Sequence, residues 1–488
     1  MERLLSEPLN YLVRLGRSIA RGWNQFFFQP ADPTPLGLIR VVTGLLAFWN
    51  LWVYGLELDV FLADSGWLSK EAVRSLQPPG ADWSWSFWFG VPDAWLRTVW
   101  VGCLVVTAMM TLGLFSRVTT LLTWIIVVST VRRVPGLMFG FDQMLSTLCL
   151  YLAVSMASGQ AVSLDRLIAR WRAGRRLLAQ RIGGKIATWP LPGGVPTPTV
   201  SANLGLRLIQ LHLCVIYGMA GISKLQGGMW WTGTAVWPTW IDREFNAFDF
   251  TWLADHIWLI NLATHATILS EIAYPFLIWN RPIRPLLLVT VAVMHVGIGV
   301  TLGLTEFALA MIAMNFAFLS GPWLRSLVAG LPERQPLYRV LYDGACPKCR
   351  AGMAFVSACD PAHVVQPIDL TAVNPATVQP ELTPERCRGA MQVVRRDGRI
   401  FSGWDGVVKL AAIQPLAWPL AWIGRLPVIA QMGRRWYNRY AATRPRDETG
   451  AEIPCADDVC GLPTPNANAN ANANRPLSSR PPKATAQS

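Results

Sequence analysis

Charge is what this 488-residue chain has least of. Asp, Glu, Lys and Arg make up 15% of it, against about 25% in an ordinary soluble domain. Hydrophobic residues make up 52%, Trp alone occurs 24 times, and the mean hydropathy is +0.31. This balance excludes a disordered chain and argues against a freely soluble enzyme. Zinc-finger, basic-zipper and RNA-binding signatures are missing, so the net charge of +13 is not read as a nucleic-acid footprint. The nine Cys follow no dense pattern, which excludes a secreted disulfide scaffold. No cleavable signal peptide is visible. Instead residues 1–29 alternate Leu4, Leu5, Leu12 and Ile19 with Arg3, Arg14, Arg17 and Arg21, the pattern of an amphipathic helix on a membrane surface.

Long apolar runs are present in number. A bilayer core of about 30 Å needs about 20 apolar residues per helix. Eight stretches approach this: 36–56, 94–114, 117–134, 140–158, 204–223, 257–279, 284–303 and 305–321. The expectation is an α-helical polytopic membrane bundle of about eight spans over residues 30–325. With the N-terminus inside, the inner segments 1–35, 115–117, 159–203 and 279–285 hold 14 Lys and Arg, and the outer ones hold six. The positive-inside rule then places both termini in the cytoplasm, with Arg132-Arg133 as the exception. Pro-rich joints occur at 189–198 and 330–336. The Asn-Ala tail at 462–488 has nothing to bury and is expected to be disordered.

Six of the nine Cys lie beyond residue 340. There the pattern changes to a soluble α/β domain at 337–446, a usual domain size. LYRVLYD reads as a strand, AGMAFVSAC as a helix, QVVRR with GRIFSG as a hairpin, and 404–440 as two or three helices. Between the first strand and helix stands Tyr342-Asp343-Gly344-Ala345-Cys346-Pro347-Lys348-Cys349. An Asp-Gly turn sets Cys346 at a helix start, where the dipole and unpaired N–H groups stabilise a thiolate. Cys349 follows three residues on, placed to resolve a mixed disulfide, and Lys348 adds positive charge. The pattern is that of a thioredoxin-like dithiol. A zinc half-site completed by Cys455 and Cys460, or two idle thiols, are the alternatives. Cys359 is expected at the end of the same helix and Cys387 in a polar loop, both as bystanders. Cys455 and Cys460 are candidate electron shuttles. Gln366-Pro367 and Thr383-Pro384 are candidates for a cis-proline beside the dithiol.

YDGACPKC resembles the DCC family of thiol-disulfide oxidoreductases, whose Asp-x-x-Cys-x-x-Cys core would be Asp343, Cys346 and Cys349. The stretch from Phe401 to Arg446 is also similar to that family. The resemblance implies a redox activity class with no cofactor required at the dithiol. Its partners would be protein or small-molecule thiols and disulfides.

Ionisable residues inside spans are functional suspects. They are Arg40, Arg207, His212, His265, Glu271 and His295, with Lys224 at an outer boundary. Arg40 and Arg207 lie near inner ends, where snorkelling would explain them. His212, His265 and His295 are expected to be either neutral, hydrogen-bonded core histidines or functional groups. Glu271 either has a partner, for which His265 and His295 are candidates, or is protonated. Lys224 reads either as a snorkelling anchor in an aromatic belt or as a base near an apolar pocket.

The segment AGISKLQGGMWWTGTAVW resembles the HTTM domain, the module shared with vitamin K-dependent gamma-carboxylase. The pieces 35–49, 141–165, 268–279 and 294–319 are similar to it as well. In that family a lysine at the position of Lys224 is assigned as base, which implies a quinone or reduced vitamin K-like ligand. The carboxylase's His in the span at 140–158 is not matched; Asp142 and Gln143 stand nearest, and no long luminal domain is present. The leading expectation is a membrane-anchored thiol-disulfide oxidoreductase in a bacterial inner membrane, with a carboxylase-like module that binds a quinone. A quinone-dependent carboxylase- or oxygenase-like enzyme using Lys224, and a non-enzymatic scaffold or transporter, are the alternatives.

Overall fold

The computed structural model describes residues 2–77, 85–180, 196–242, 248–329, 336–360 and 364–443. Cys455, Cys460, the tail from 462 and most of the two Pro-rich joints lie outside these. The first part of the chain is helical. Its main elements are α1 (Glu2–Phe27), α2 (Thr34–Leu56), α3 (Leu96–Leu112), α4 (Ser116–Arg133), α5 (Gly140–Ser155), α6 (Leu164–Gln180), α7 (Val200–Leu225), α8 (Ile257–Leu277), α9 (Arg284–Thr301) and α10 (Thr305–Asn315).

Each of the eight apolar stretches falls on one of these helices. Four segments, Thr34–Leu56, Asp93–Leu112, Val200–Leu225 and Arg284–Thr301, are long and apolar enough to cross a membrane. The 16 residues of α5 and the 11 of α10 are shorter than a full crossing needs, and α4 carries Arg117, Arg132 and Arg133. On α9 an outward stripe of Leu286, Val289, Val293, Val296 and Val300 is exposed, while Val291 and His295 face the bundle. A helix apolar on its outer as well as its inner face suits a lipid surround. The bundle core joins Leu36, Leu145, Leu148, Ile209, Tyr217, Tyr274 and Met314.

Two arginines read as snorkelling or exceptional are instead structural ties. Arg40 is fully buried, and its guanidinium donates to Met110 O at 2.5 Å, Thr111 O at 3.2 Å and Val162 O at 2.5 Å. Two of the acceptors, Met110 O and Thr111 O, are carbonyls of the last turn of α3, and Met110 O accepts from Gly113 N as well. Arg133 is also fully buried and donates to the carbonyls of Leu62, Ala63 and Leu68. It holds the 58–68 segment to the end of α4, which gives a basic residue at that helix end a structural role. Arg207 donates to Phe26 O at 3.0 Å and lies over the Phe26 ring at 4.1 Å, joining α1 to α7.

The four charge-rich segments meet at one end of the bundle. Ala31 pairs with Thr199, Phe26 packs on Trp279, and Asp165 accepts from Phe115 N at 2.8 Å and Ser116 N at 2.7 Å. A rise of about 1.5 Å per residue puts Lys224 roughly 37 Å along α7 from this end.

The last part of the chain is a mixed α/β domain with a four-strand sheet in the order β2-β1-β3-β4. The strands are β1 (Tyr338–Tyr342), β2 (Val365–Asp369), β3 (Gln392–Arg395) and β4 (Ile400–Ser402). β1 and β2 are parallel and joined by helix α11 (Pro347–Cys359); β3 is antiparallel to both β1 and β4. Strand alternation sends Val340 and Val393 to one face, against Met353 of α11 and Leu410 of α12 (Trp404–Ala411). Leu341 and Val394 point to the other face, against Leu382 and Cys387. Cys387 therefore sits buried in the short helix Pro384–Gly389 and not in a polar loop. A short helix Trp418–Ile423 and α13 (Pro427–Ala442) follow. All peptide bonds among the described residues are trans, Gln366-Pro367 and Thr383-Pro384 included. Pro367 lies on edge strand β2, where a missing N–H is tolerated.

Candidate functional site

The dithiol sits where β1 hands over to α11. Asp343 folds the turn: its Oδ1 accepts from Ala345 N at 3.1 Å and its carbonyl from Cys346 N at 3.2 Å. Gly344 donates to Asp369 Oδ1 at 3.1 Å from the end of β2. The Asp369 carboxylate also fills the space a Cβ at Gly344 would need, so any side chain here must push that carboxylate aside. Asp369 is a site residue missed in sequence; its trace was the β2 run ending in Asp-Leu-Thr, where it also accepts from Thr371.

Cys346 is the N-cap residue of α11, with Pro347 in the first helical position and extended φ/ψ of −91°/115°. Its side chain therefore stands at the positive end of the helix, beside amides without intrahelical acceptors. Cys346 is 0% exposed, whereas Cys349 is half-buried, and neither is in a disulfide. Lys348 turns away from the pair: Nζ donates to Thr443 O at 3.3 Å and lies 5.6 Å from the Tyr440 ring centre. Tyr440 and Thr443 are thus further neighbours of the dithiol turn.

Cys359, the last residue of α11, is buried, which pushes its thiol up to about 11 and leaves it inert at neutral pH. Burial also raises Cys387. Among the described residues no three His, Cys, Asp or Glu side chains gather as a metal site.

The far end of α11 is docked on α6. Arg170, 3% exposed, donates to Ala358 O at 2.6 Å and Asp360 O at 2.9 Å. Trp171 meets Phe355 edge-on at 5.0 Å. Burial lowers the Arg170 pKa, opposed by the charges of Asp360 and Cys359. α6 begins at the charge-rich end of the bundle, so the α/β domain sits at that end, away from Lys224.

The second polar cluster lies inside the bundle. Lys224 Nζ is 2.9 Å from Glu271 Oε1 and 2.8 Å from Oε2, and 5.3 Å from the Trp230 ring centre. Lys224, and neither His265 nor His295, is therefore the partner of Glu271. Gly221, one turn earlier, makes this possible: a Cβ there would come 2.8 Å from Ile272 Cγ1, so only glycine lets α7 and α8 approach so closely. His295 bonds Tyr217 OH at 2.9 Å, and Asn315 links Tyr217 at 3.3 Å to Tyr274 at 2.5 Å. Tyr217, Tyr274 and Asn315 were not singled out in sequence, where nothing distinguishes them from core residues. His212 pairs with Tyr151 OH at 2.9 Å. His265 bonds the Asn261 carbonyl of its own helix at 2.8 Å and is exposed, outside the cluster.

Compared with known proteins, residues 340–447 match the family model of the DCC1-like thiol-disulfide oxidoreductases. No curated protein and no solved structure matches the chain.

Proposed function

We propose that the protein is a membrane-anchored thiol-disulfide oxidoreductase whose working groups are Cys346 and Cys349. It carries a DCC1-like thiol-disulfide oxidoreductase domain behind a helical region with apolar helices. The observation that carries the reading is a CxxC pair whose first Cys caps a helix directly after a strand. In this reading the α/β domain is thioredoxin-like, the bundle spans the membrane through at least its four long apolar segments, and both termini are cytoplasmic.

The chemistry follows from the placement. The Cys346 thiolate attacks one sulfur of a substrate disulfide. The substrate S–S bond breaks, and the departing sulfur leaves as a thiolate that takes up a proton. Cys349 then attacks Cys346 Sγ, the mixed disulfide breaks, and the second substrate thiol leaves. Two electrons pass to the substrate, and a Cys346–Cys349 disulfide remains. Run backwards, the same steps oxidise a substrate dithiol. The Gly344–Asp369 bond and the Asp343 turn hold the nucleophile at the helix start.

The test is a redox titration of the full-length protein in glutathione buffers, read by alkylation and mass spectrometry of the dithiol peptide. A single two-electron transition ending in a Cys346–Cys349 disulfide supports the reading. Two thiols that oxidise independently contradict it.

A second reading concerns the bundle, whose segments resemble the HTTM module. One observation favours a quinone-like ligand there: His295 Nδ1 is buried and has no hydrogen-bond partner among the described residues. It could bond a ring oxygen. Bound there, a quinol would supply two electrons and two protons. Lys224 Nζ and Glu271 would hold and pass a proton between them, with Tyr217 orienting His295. Loss of quinone-analogue binding in Lys224→Ala and His295→Ala would support this reading; unchanged binding would contradict it.

A further inference from the structure

The α/β domain leaves one apolar face uncovered. Trp422, Val428, Met432 and Trp436 are 69%, 68%, 61% and 60% exposed. The last three recur at a spacing of four on α13 and form one stripe, continued by Tyr440, on whose ring Trp436 stacks at 5.6 Å. The adjoining side of α13 is already used. Gly433 lies against the Trp404 ring, and Tyr437 is buried and accepts from Met391 N at 3.1 Å. The exposed stripe is therefore a second face and not a core left open.

Its chemistry is specific. From Ala412 to Thr443 there is no Asp or Glu, while Arg425, Arg434, Arg435 and Arg439 are present. Arg435 and Arg439 stand seven residues after Val428 and Met432, two turns on along the same face. Trp with Arg on an amphipathic helix is the composition of a bilayer interface, where the indole sits at headgroup level and the guanidinium meets lipid phosphate. The position agrees. Leu416, just before this face, lines a small pocket with Leu167, Arg170 and Trp171 of α6. α6 is in turn fastened to the α3–α4 turn through Asp165. The face starts beside the end of the apolar bundle.

We propose that Trp418–Ile423 and α13 form an interfacial anchor, laid into the headgroup layer of the membrane that the chain's own helices cross, with anionic lipid against Arg435 and Arg439, while Arg434 is held by Asp405. The anchor requires the bundle to be in a bilayer and is independent of the dithiol chemistry. It has one consequence for that chemistry. Lys348 contacts Tyr440 and Thr443 at the end of α13, so the dithiol turn lies at the membrane surface and meets substrates there.

The test uses the full-length protein in vesicles of phosphatidylcholine with phosphatidylglycerol, containing a lipid with a photoactivatable group near the glycerol. After irradiation, peptides are mapped by mass spectrometry. Adducts are expected on 418–440, several-fold more than in phosphatidylcholine alone. The variant with Trp422→Ser, Met432→Ser and Trp436→Ser should lose them while the α9 stripe stays labelled. Because these side chains are exposed, the variant tests the surface and not the fold. A 418–440 segment free of adducts while α9 is labelled would overturn the proposal, as would cross-links joining two copies through it. An unlabelled α9 would overturn the membrane premise and the anchor with it, leaving the dithiol reading standing.

Discussion

The two polar centres of this molecule are built in opposite ways. The dithiol turn is mostly local: Asp343 to Cys349 follow one another, and Asp369, Tyr440 and Thr443 come to it from elsewhere. The bundle cluster is assembled from four helices, with Lys224 and Glu271 47 residues apart and Tyr217 and His295 78 apart. In the α/β domain, a turn and a helix start suffice to aim a thiol. Inside an apolar bundle, every charge must find a partner on another helix, because no water is there to take its place. Most changes around the first centre are therefore expected to act locally, and changes in the second to disturb partners on several helices.

The sharpest break of this contrast is the ion pair. Glu271→Ala leaves the Lys224 ammonium without its counterion, and the expected loss is about 3 kcal/mol in the unfolding of detergent-solubilised protein. Lys224→Met combined with Glu271→Met should recover most of it. A single variant as stable as the parent would show that the bundle does not depend on the pair.

Arg170 tests the joint between the two regions. Arg170→Met removes two bonds to the end of α11, with an expected cost of about 2 kcal/mol. Hydrogen exchange should then quicken across α6 and the last turn of α11 while the bundle core is unchanged. Unaltered exchange would mean that the docking rests on Trp171 and Phe355 alone.

Gly344→Ala sharpens the local side of the comparison. A methyl group there displaces Asp369, with an expected loss of about 1–2 kcal/mol and a shifted dithiol potential. An unshifted potential would remove Asp369 from the site.

The smallest effect is pH-dependent. Burial holds the Cys359 thiol at about 11 against an ordinary 9.0. A raised folded-state value stabilises the fold fully below the unfolded value and is lost as pH rises from 9 toward 11. Roughly 1 kcal/mol from this thiol should disappear between about pH 8 and 9.5, and the slope should be smaller by that amount in Cys359→Ala, with the part due to Cys387 remaining.

The same contrast explains what was legible. Strand β1, the start of α11 at Cys346 and the β3–β4 hairpin could be read because period, Asp-Gly and Pro signals are short-range. The apolar helices could be read from run length. The partner of Glu271 could not, nor the burial of Arg40 and Arg133: their acceptors lie about 50–120 residues away. Cys387 looked solvated because its neighbours are polar, yet the sheet above it is not. The docking of Arg170 on Ala358, 188 residues distant, left no local trace.

The most direct test of the central claim is disulfide trapping in native membranes with the full-length protein. Cys349→Ser is predicted to accumulate mixed disulfides through Cys346, resolved by reductant and mapped by mass spectrometry, while Cys346→Ser accumulates none. The burial of Cys346 beside a more open Cys349 makes this a strict test. Trapping through Cys349 alone, or through neither, would contradict the account.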